Sequence, residues 1–116
     1  MSAAQVEWKP AGTTAEIEPL FQSLARRWRD ETGYYSFAHQ YAMHPAYLRI
    51  IGLGPQVLPL ILAEMRDRPG QWFIALEAIT GVNPYTPVRE GGFVKINVPE
   101  ATAAWLNWGR RNGLIG

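Results

Sequence analysis

Two stretches decide the fold class: Ile51-Gly-Leu-Gly-Pro-Gln-Val-Leu-Pro-Leu-Ile-Leu-Ala-Glu-Met65, and shortly after it Trp72-Phe-Ile-Ala-Leu-Glu-Ala-Ile-Thr-Gly81. Apolar residues dominate both, yet neither alternates apolar and polar as a half-buried strand would. The spacing predicts two buried amphipathic helices joined by a short Arg-Pro-Gly turn. Pro55 opens the first, which should run to about Arg66, and Gln71–Thr80 forms the second, closed by Gly81.

Upstream, Thr13-Thr-Ala-Glu16 has capping-box spacing, with a hydroxyl to accept the third amide and a carboxylate to reach back. Ile17, Leu20, Phe21, Leu24, Ala25 and Trp28 then recur with one-face helical spacing, so a helix is expected over residues 13–32. Pro19 is read as lying near its first turn, and Gly33 as its C-cap after Arg26, Arg27 and Arg29. Residues 34–43 fit a short helix or an ordered loop. Pro45 opens a further helix, which breaks at Gly52-Leu-Gly54.

Downstream, residues 82–98 form a long connection rich in Pro and Gly, and connections beyond about 12–15 residues are often functional. Phe93-Val-Lys-Ile-Asn97 within it reads as a short strand or extended piece. The last helix starts at Pro99-Glu100 and puts Ala101, Ala104, Trp105 and Trp108 on one stripe before Gly113. The expected organisation is a loose arm over residues 1–12 and one all-α domain over 13–116: antiparallel helical hairpins with one long loop.

Composition narrows the function classes. The 116 residues suit one domain, and 47% hydrophobic with 18% charged residues is a globular balance. The formal net charge of +1 creates no demand for a nucleic-acid or membrane partner. The absence of Cys excludes thiolate catalysis, disulfides and Cys-ligated zinc, and suits a reducing, cytoplasmic setting. The start of the chain has neither the basic nor the apolar stretch of a secretory signal. The longest apolar run, Val57 to Ala63, is far below the ~20 residues of a membrane span. Five Trp, five Tyr and four Phe are more than so small a core is expected to hold, which points to aromatic residues at a surface.

Around Gly52-Leu-Gly-Pro-Gln-Val-Leu-Pro-Leu-Ile-Leu the chain resembles a HEAT-type repeat, in which a small-residue turn followed by Val/Leu, Pro and Leu opens the second helix of a pair. The resemblance implies one pair from residues 44–51 and 55–66 and another from 71–80 and 99–111, with the first helix capping the stack. Trp72-Phe-Ile-Ala-Leu-Glu-Ala-Ile-Thr-Gly-Val-Asn-Pro84, with Ala104-Trp-Leu-Asn-Trp-Gly-Arg110, also resembles a group of small uncharacterised bacterial proteins. That likeness carries no catalytic residue with it. It implies action alongside the product of a neighbouring gene, as an antitoxin, immunity or regulatory partner.

The residues most able to carry a function are aromatic. Trp and Tyr are enriched at binding hot spots, so Trp72, Trp105 and Trp108, with Tyr85 and Arg89 on the long loop and Arg110 near the end, make one candidate partner surface. The competing reading packs the three Trp as core across the 71–80 helix. Tyr34, Tyr35 and Tyr41 make a second candidate surface. The leading expectation is a protein-binding module acting by surface occlusion. The alternative is a nucleic-acid-associated protein using Arg26, Arg27 and Arg29 with Arg110 and Arg111. No helix shows the polar, Arg- and Asn-rich face of a DNA-reading helix.

An enzyme is the least favoured class. Glu64, Asp67 and Glu77 could pair as acid and base, but no nucleophile or oxyanion donor brackets them, and solvated helix faces explain them. Ser23 and Ser36 lack a nucleophile-elbow context. His39 and His44 are five apart, whereas metal-binding His pairs on a helix are four apart. His44 is better read as the cap of the Pro45 helix and His39 as a partly exposed surface residue. No metal or other cofactor is expected.

Overall fold

The computed structural model describes residues 14–33, 38–86 and 88–116. In chain order these form α1 (Thr14–Glu31), α2 (Ala38–Ala42), α3 (Pro45–Gly52), a 3-10 turn (Gly54–Val57), α4 (Leu58–Asp67), α5 (Phe73–Thr80), β1 (Val88–Glu90), β2 (Phe93–Lys95) and α6 (Val98–Arg111). The fold is all-α, with one short antiparallel hairpin set into the connection between α5 and α6.

The periodic faces are the buried faces. Ile17, Phe21, Leu24, Ala25 and Trp28 of α1 are buried, and so are Leu58, Ile61, Leu62 and Met65 of α4 and Ala75 and Leu76 of α5. They belong to one continuous core that also takes in Tyr47, Ile50, Val57, Trp72 and Trp105. Aromatic residues contribute more to this core than composition suggested. Trp72 meets Phe21, Trp28 and Tyr47 at ring-centroid distances of 5.7, 4.6 and 5.6 Å, so rings from α1, α3 and the start of α5 form one buried cluster. Such contacts each add about 0.5–1.5 kcal/mol beyond burial.

Several boundaries differ from the sequence reading, each for a local reason. The capping box rests on Thr13, which lies outside the described residues. Pro19 is the sixth residue of α1, not part of its first turn. Gly33 is not left-handed. Instead, Thr32 closes α1 by donating both its amide (3.1 Å) and its hydroxyl (2.6 Å) to the Trp28 carbonyl. Residues 38–42 are a short helix, and α4 starts at Leu58 rather than Pro55 because Gly54–Val57 is a 3-10 turn. Gly54, at φ +79°, is the corner: only glycine enters this region cheaply, and it sets α3 at 110° to the segment that follows.

That corner also decides the pairing. The main helix contacts are α1 with α3, α3 with α5, and α4 with α6. The sequential hairpins that the repeat resemblance implied, α3 with α4 and α5 with α6, are not the pairs that carry the packing. Gly109 marks the closest approach of α6 to α4, since a Cβ there would lie 2.7 Å from Leu62 Cδ1. Gly81 (φ +70°) and Gly113 (φ +71°) end α5 and α6 as expected.

Among the described residues no single helix is long and apolar enough to cross a membrane. The α3–α4 segments reach that composition only when taken together across their 110° corner.

Candidate protein-binding surface

Polar ties at the helix ends fix the geometry of the surface. His44 is the N-cap of α3: its Nδ1 accepts the Ala46 amide at 3.0 Å. This requires a bare Nδ1, so in the neutral ring the proton sits on Nε2, which reaches Glu31 Oε1 at 2.8 Å. The Glu31 carboxyl is held below its ordinary pKa, chiefly by this hydrogen bond and further by Arg27 at 3.2 Å. The His39 side chain lies outside what the structure describes.

The connection after α5 is pinned at both ends. Thr80 Oγ1 accepts the Val82 amide (3.0 Å), and Asn83 Oδ1 accepts the Tyr85 amide (3.2 Å). The Tyr85 hydroxyl in turn accepts the amide of Asn97 at 3.0 Å. Asn97 is the N-cap of α6, its Oδ1 taking the Glu100 amide at 3.0 Å. Tyr85 is therefore half-buried and holds the start of α6.

Between α5, this connection and α6 lies a small cleft of about 90 Å³. Phe73, Ile74 and Glu77 line one side, Asn83, Tyr85 and Ile96 the loop side, and Ala101 and Trp105 the floor. Ile74 and Ile96 are 40% and 49% exposed, and Val82, where the connection leaves α5, is 39% exposed. An apolar patch gathered around a cleft differs from isolated surface aliphatics, which need no explanation.

The nine candidate residues do not form one site. Tyr85 and Trp105 share this cleft. Trp105 is only 2% exposed, however, and Trp72 only 1%, so both are core, as the competing reading had it. A side chain so enclosed cannot be a partner's direct contact. Trp72 also packs toward α1 and α3 rather than toward Trp105. Trp108 is half-buried with its ring edge-on to Trp105 at 5.4 Å. Arg89 is exposed on β1, paired in register with Val94. Arg110 bonds Asn107 Oδ1 (3.0 Å) and the Gly116 carbonyl (3.3 Å). None of these three lines the cleft. Tyr41 belongs to a different region, edge-on to Trp28 at 6.0 Å, with its carbonyl accepting the Trp28 indole N–H at 2.9 Å. Tyr34 and Tyr35 lie outside the described residues.

Ile74 and Ile96 were not singled out from sequence. The signal was present at Ile74: α5 is apolar almost all round, and one face of a short helix cannot bury Phe73, Ile74, Ala75, Leu76, Ala78 and Ile79 together.

The two Arg clusters are largely engaged within the molecule. Arg27 pairs with Glu31, Arg29 with Glu64, and Arg110 with Asn107 and the chain end. Glu64 is thereby corrected from a solvated residue to a mostly buried one, its side chain 10% exposed. Among the described residues no group of three or more His, Asp or Glu side chains is arranged to hold a metal ion. No family model, curated protein or solved structure matches the chain.

Proposed function

We propose that this chain is a protein-binding module, located in the cytoplasm, which docks a partner on the α5–connection–α6 cleft and acts by covering the partner's surface. One observation carries the reading: Ile74 and Ile96 are exposed and line a cleft whose frame is tied by Asn83, Tyr85 and Asn97. A prearranged frame lowers the ordering cost of binding, and apolar side chains at its mouth supply the burial. An antitoxin-type or regulatory role beside a neighbouring gene product fits this mode of action.

The test uses Ile74→Asp and Ile96→Asp, singly and together. Both residues are substantially exposed, so thermal stability should stay close to that of the parent. A partner recovered from the native host with the parent chain should be lost with the double variant. Titration calorimetry on the purified pair should show each single change weakening binding by about 2 kcal/mol, the scale of an interface hot spot. Equal affinity in parent and double variant removes the cleft from the interface. Binding to heparin with a steep salt dependence would favour the nucleic-acid alternative instead.

A further inference from the structure

The end of α6 is tied by a dense set of hydrogen bonds. The Gly113 amide donates to the Arg110 carbonyl at 3.1 Å, and the Leu114 amide donates to the Gly109 carbonyl at 2.9 Å. Gly113 itself is left-handed, at φ +71°. This pair of bonds around a left-handed glycine is a Schellman cap, and it satisfies carbonyls that the last helical turn would leave bare. Asn112 is the C-cap residue within it, and its Nδ2 donates back to the Trp108 carbonyl at 2.8 Å. Beyond the cap Leu114 and Ile115 pack against the core. Ile115 lies over Gly109, where a Cβ would be 3.3 Å from its Cγ1.

The same residues carry a latent reaction. The backbone nitrogen that follows an asparagine can attack the asparagine's side-chain carbonyl carbon, Cγ, and the following residue decides how readily. Asn83 precedes Pro84, whose nitrogen has no proton to give up. Asn97 precedes Val98, whose branched Cβ crowds the approach. Asn107 precedes the bulky Trp108, inside α6. Asn112 precedes Gly113, which has no side chain to obstruct ring closure and reaches the backbone angles it needs. In the folded chain both reactants are held apart from that path. The Gly113 amide is committed to Arg110, and the Asn112 carboxamide is drawn back along the helix toward Trp108.

We infer that Asn112 is a self-modification site, converted to aspartate and isoaspartate whenever the α6 cap opens. The Gly113 nitrogen bonds to Asn112 Cγ and the Cγ–Nδ2 bond breaks. Nδ2 leaves as ammonia, taking the proton that the Gly113 nitrogen gives up, and a cyclic imide remains. Water then opens the imide. Attack at Cγ yields aspartate with the backbone intact. Attack at the Asn112 main-chain carbonyl yields isoaspartate, with the chain running through Cγ and one methylene longer. Either product loses the donor to Trp108 and sets a carboxylate at the negative end of the helix. The longer isoaspartate backbone also breaks the register of the Gly113 and Leu114 bonds, so Leu114 and Ile115 come away from Gly109. The change is one-way, and it does not depend on the protein-binding reading.

Peptide mapping by mass spectrometry reads the conversion, because exchanging NH2 for OH raises the mass, and the two products separate by retention time. The full chain is incubated in mildly alkaline buffer, folded or in guanidinium chloride. In denaturant Asn112 should convert faster than Asn83, Asn97 and Asn107, and Gly113→Ala should slow it. In the folded chain Asn112 should convert at least about tenfold more slowly than in denaturant, because only the open cap reacts. Ile115→Ala, which removes the side chain packed over the cap, should raise the folded rate by about threefold and leave the denatured rate unchanged. In the converted chain the Gly113 and Leu114 amides should lose hydrogen-exchange protection. Should Ile115→Ala fail to fold, the contrast between folded and denatured parent carries the test. An Asn112 that stays unconverted in denaturant overturns the inference. So do equal rates in the folded and denatured parent, or an unchanged rate in a folded Ile115→Ala, since either leaves the cap without a role.

Discussion

Replacing Tyr47 by Phe removes one oxygen atom and should cost a large share of the stability of this domain. Tyr47 is fully buried, and its ring lies nearly parallel to that of Trp72, 12° between planes. Its hydroxyl donates to the Gln71 carbonyl at 2.8 Å and accepts the Ala75 amide at 2.9 Å. The N-cap residue of α5 is Trp72, whose side chain makes no capping bond. The amide of Ala75, third residue of the helix, therefore gets its partner from α3. Tyr47 is a cap supplied across the core.

Phe keeps the ring contacts and strands the Ala75 N–H in a dry interior. An unpaired buried amide costs about 1–3 kcal/mol, and the second bond, to a half-buried carbonyl, about 0.5–1.5 kcal/mol. The expected loss is about 2–4 kcal/mol, a considerable part of the roughly 5–15 kcal/mol that keeps a domain folded. Urea denaturation measures it, and amide hydrogen exchange locates it: Ala75 should lose protection beyond the global change. Burial already holds this phenol protonated far into alkaline pH, so the bond is present throughout the usable range. A loss below about 0.5 kcal/mol, with Ala75 still protected, would refute the cross-core cap.

Leu76→Ala should destabilise by about 2–5 kcal/mol, because Leu76 is fully buried; chemical denaturation showing less than about 1 kcal/mol would contradict its place in the core. Glu31→Gln should change the acid limb of the stability curve. The Glu31 pKa is lowered in the folded state, so its contribution is present above the unfolded carboxylate value, about 4.3, and is lost as pH falls through the lower folded value. Denaturation midpoints across acidic pH should thus separate parent and variant near neutrality and converge in strong acid; a constant gap would exclude the link.

The amino-acid sequence by itself determined the helices and their inward faces. The stripe Ile17, Phe21, Leu24, Trp28 and the run Leu58, Ile61, Leu62, Met65 were legible because 3.6-residue spacing is a property of each segment alone. Local stops were legible for the same reason, as at His44 before Pro45 and at Gly81. The tertiary structure alone decided which helix meets which. One backbone angle at Gly54 turns the chain and sends α3 to α5 and α4 to α6, and no periodicity encodes that direction. It likewise decided which aromatics are enclosed and which are left at the surface. Trp72 and Trp105 look alike in the sequence as interface anchors, yet both are enclosed, because burial is set by what other segments bring against a side chain. The cleft is exposed through Ile74 and Ile96, far apart in the chain and joined only by the fold. Tyr47 and Tyr85 show the same limit: one takes a first-turn amide of α5 from α3, and the other holds the amide of Asn97, the N-cap residue of α6, from the loop.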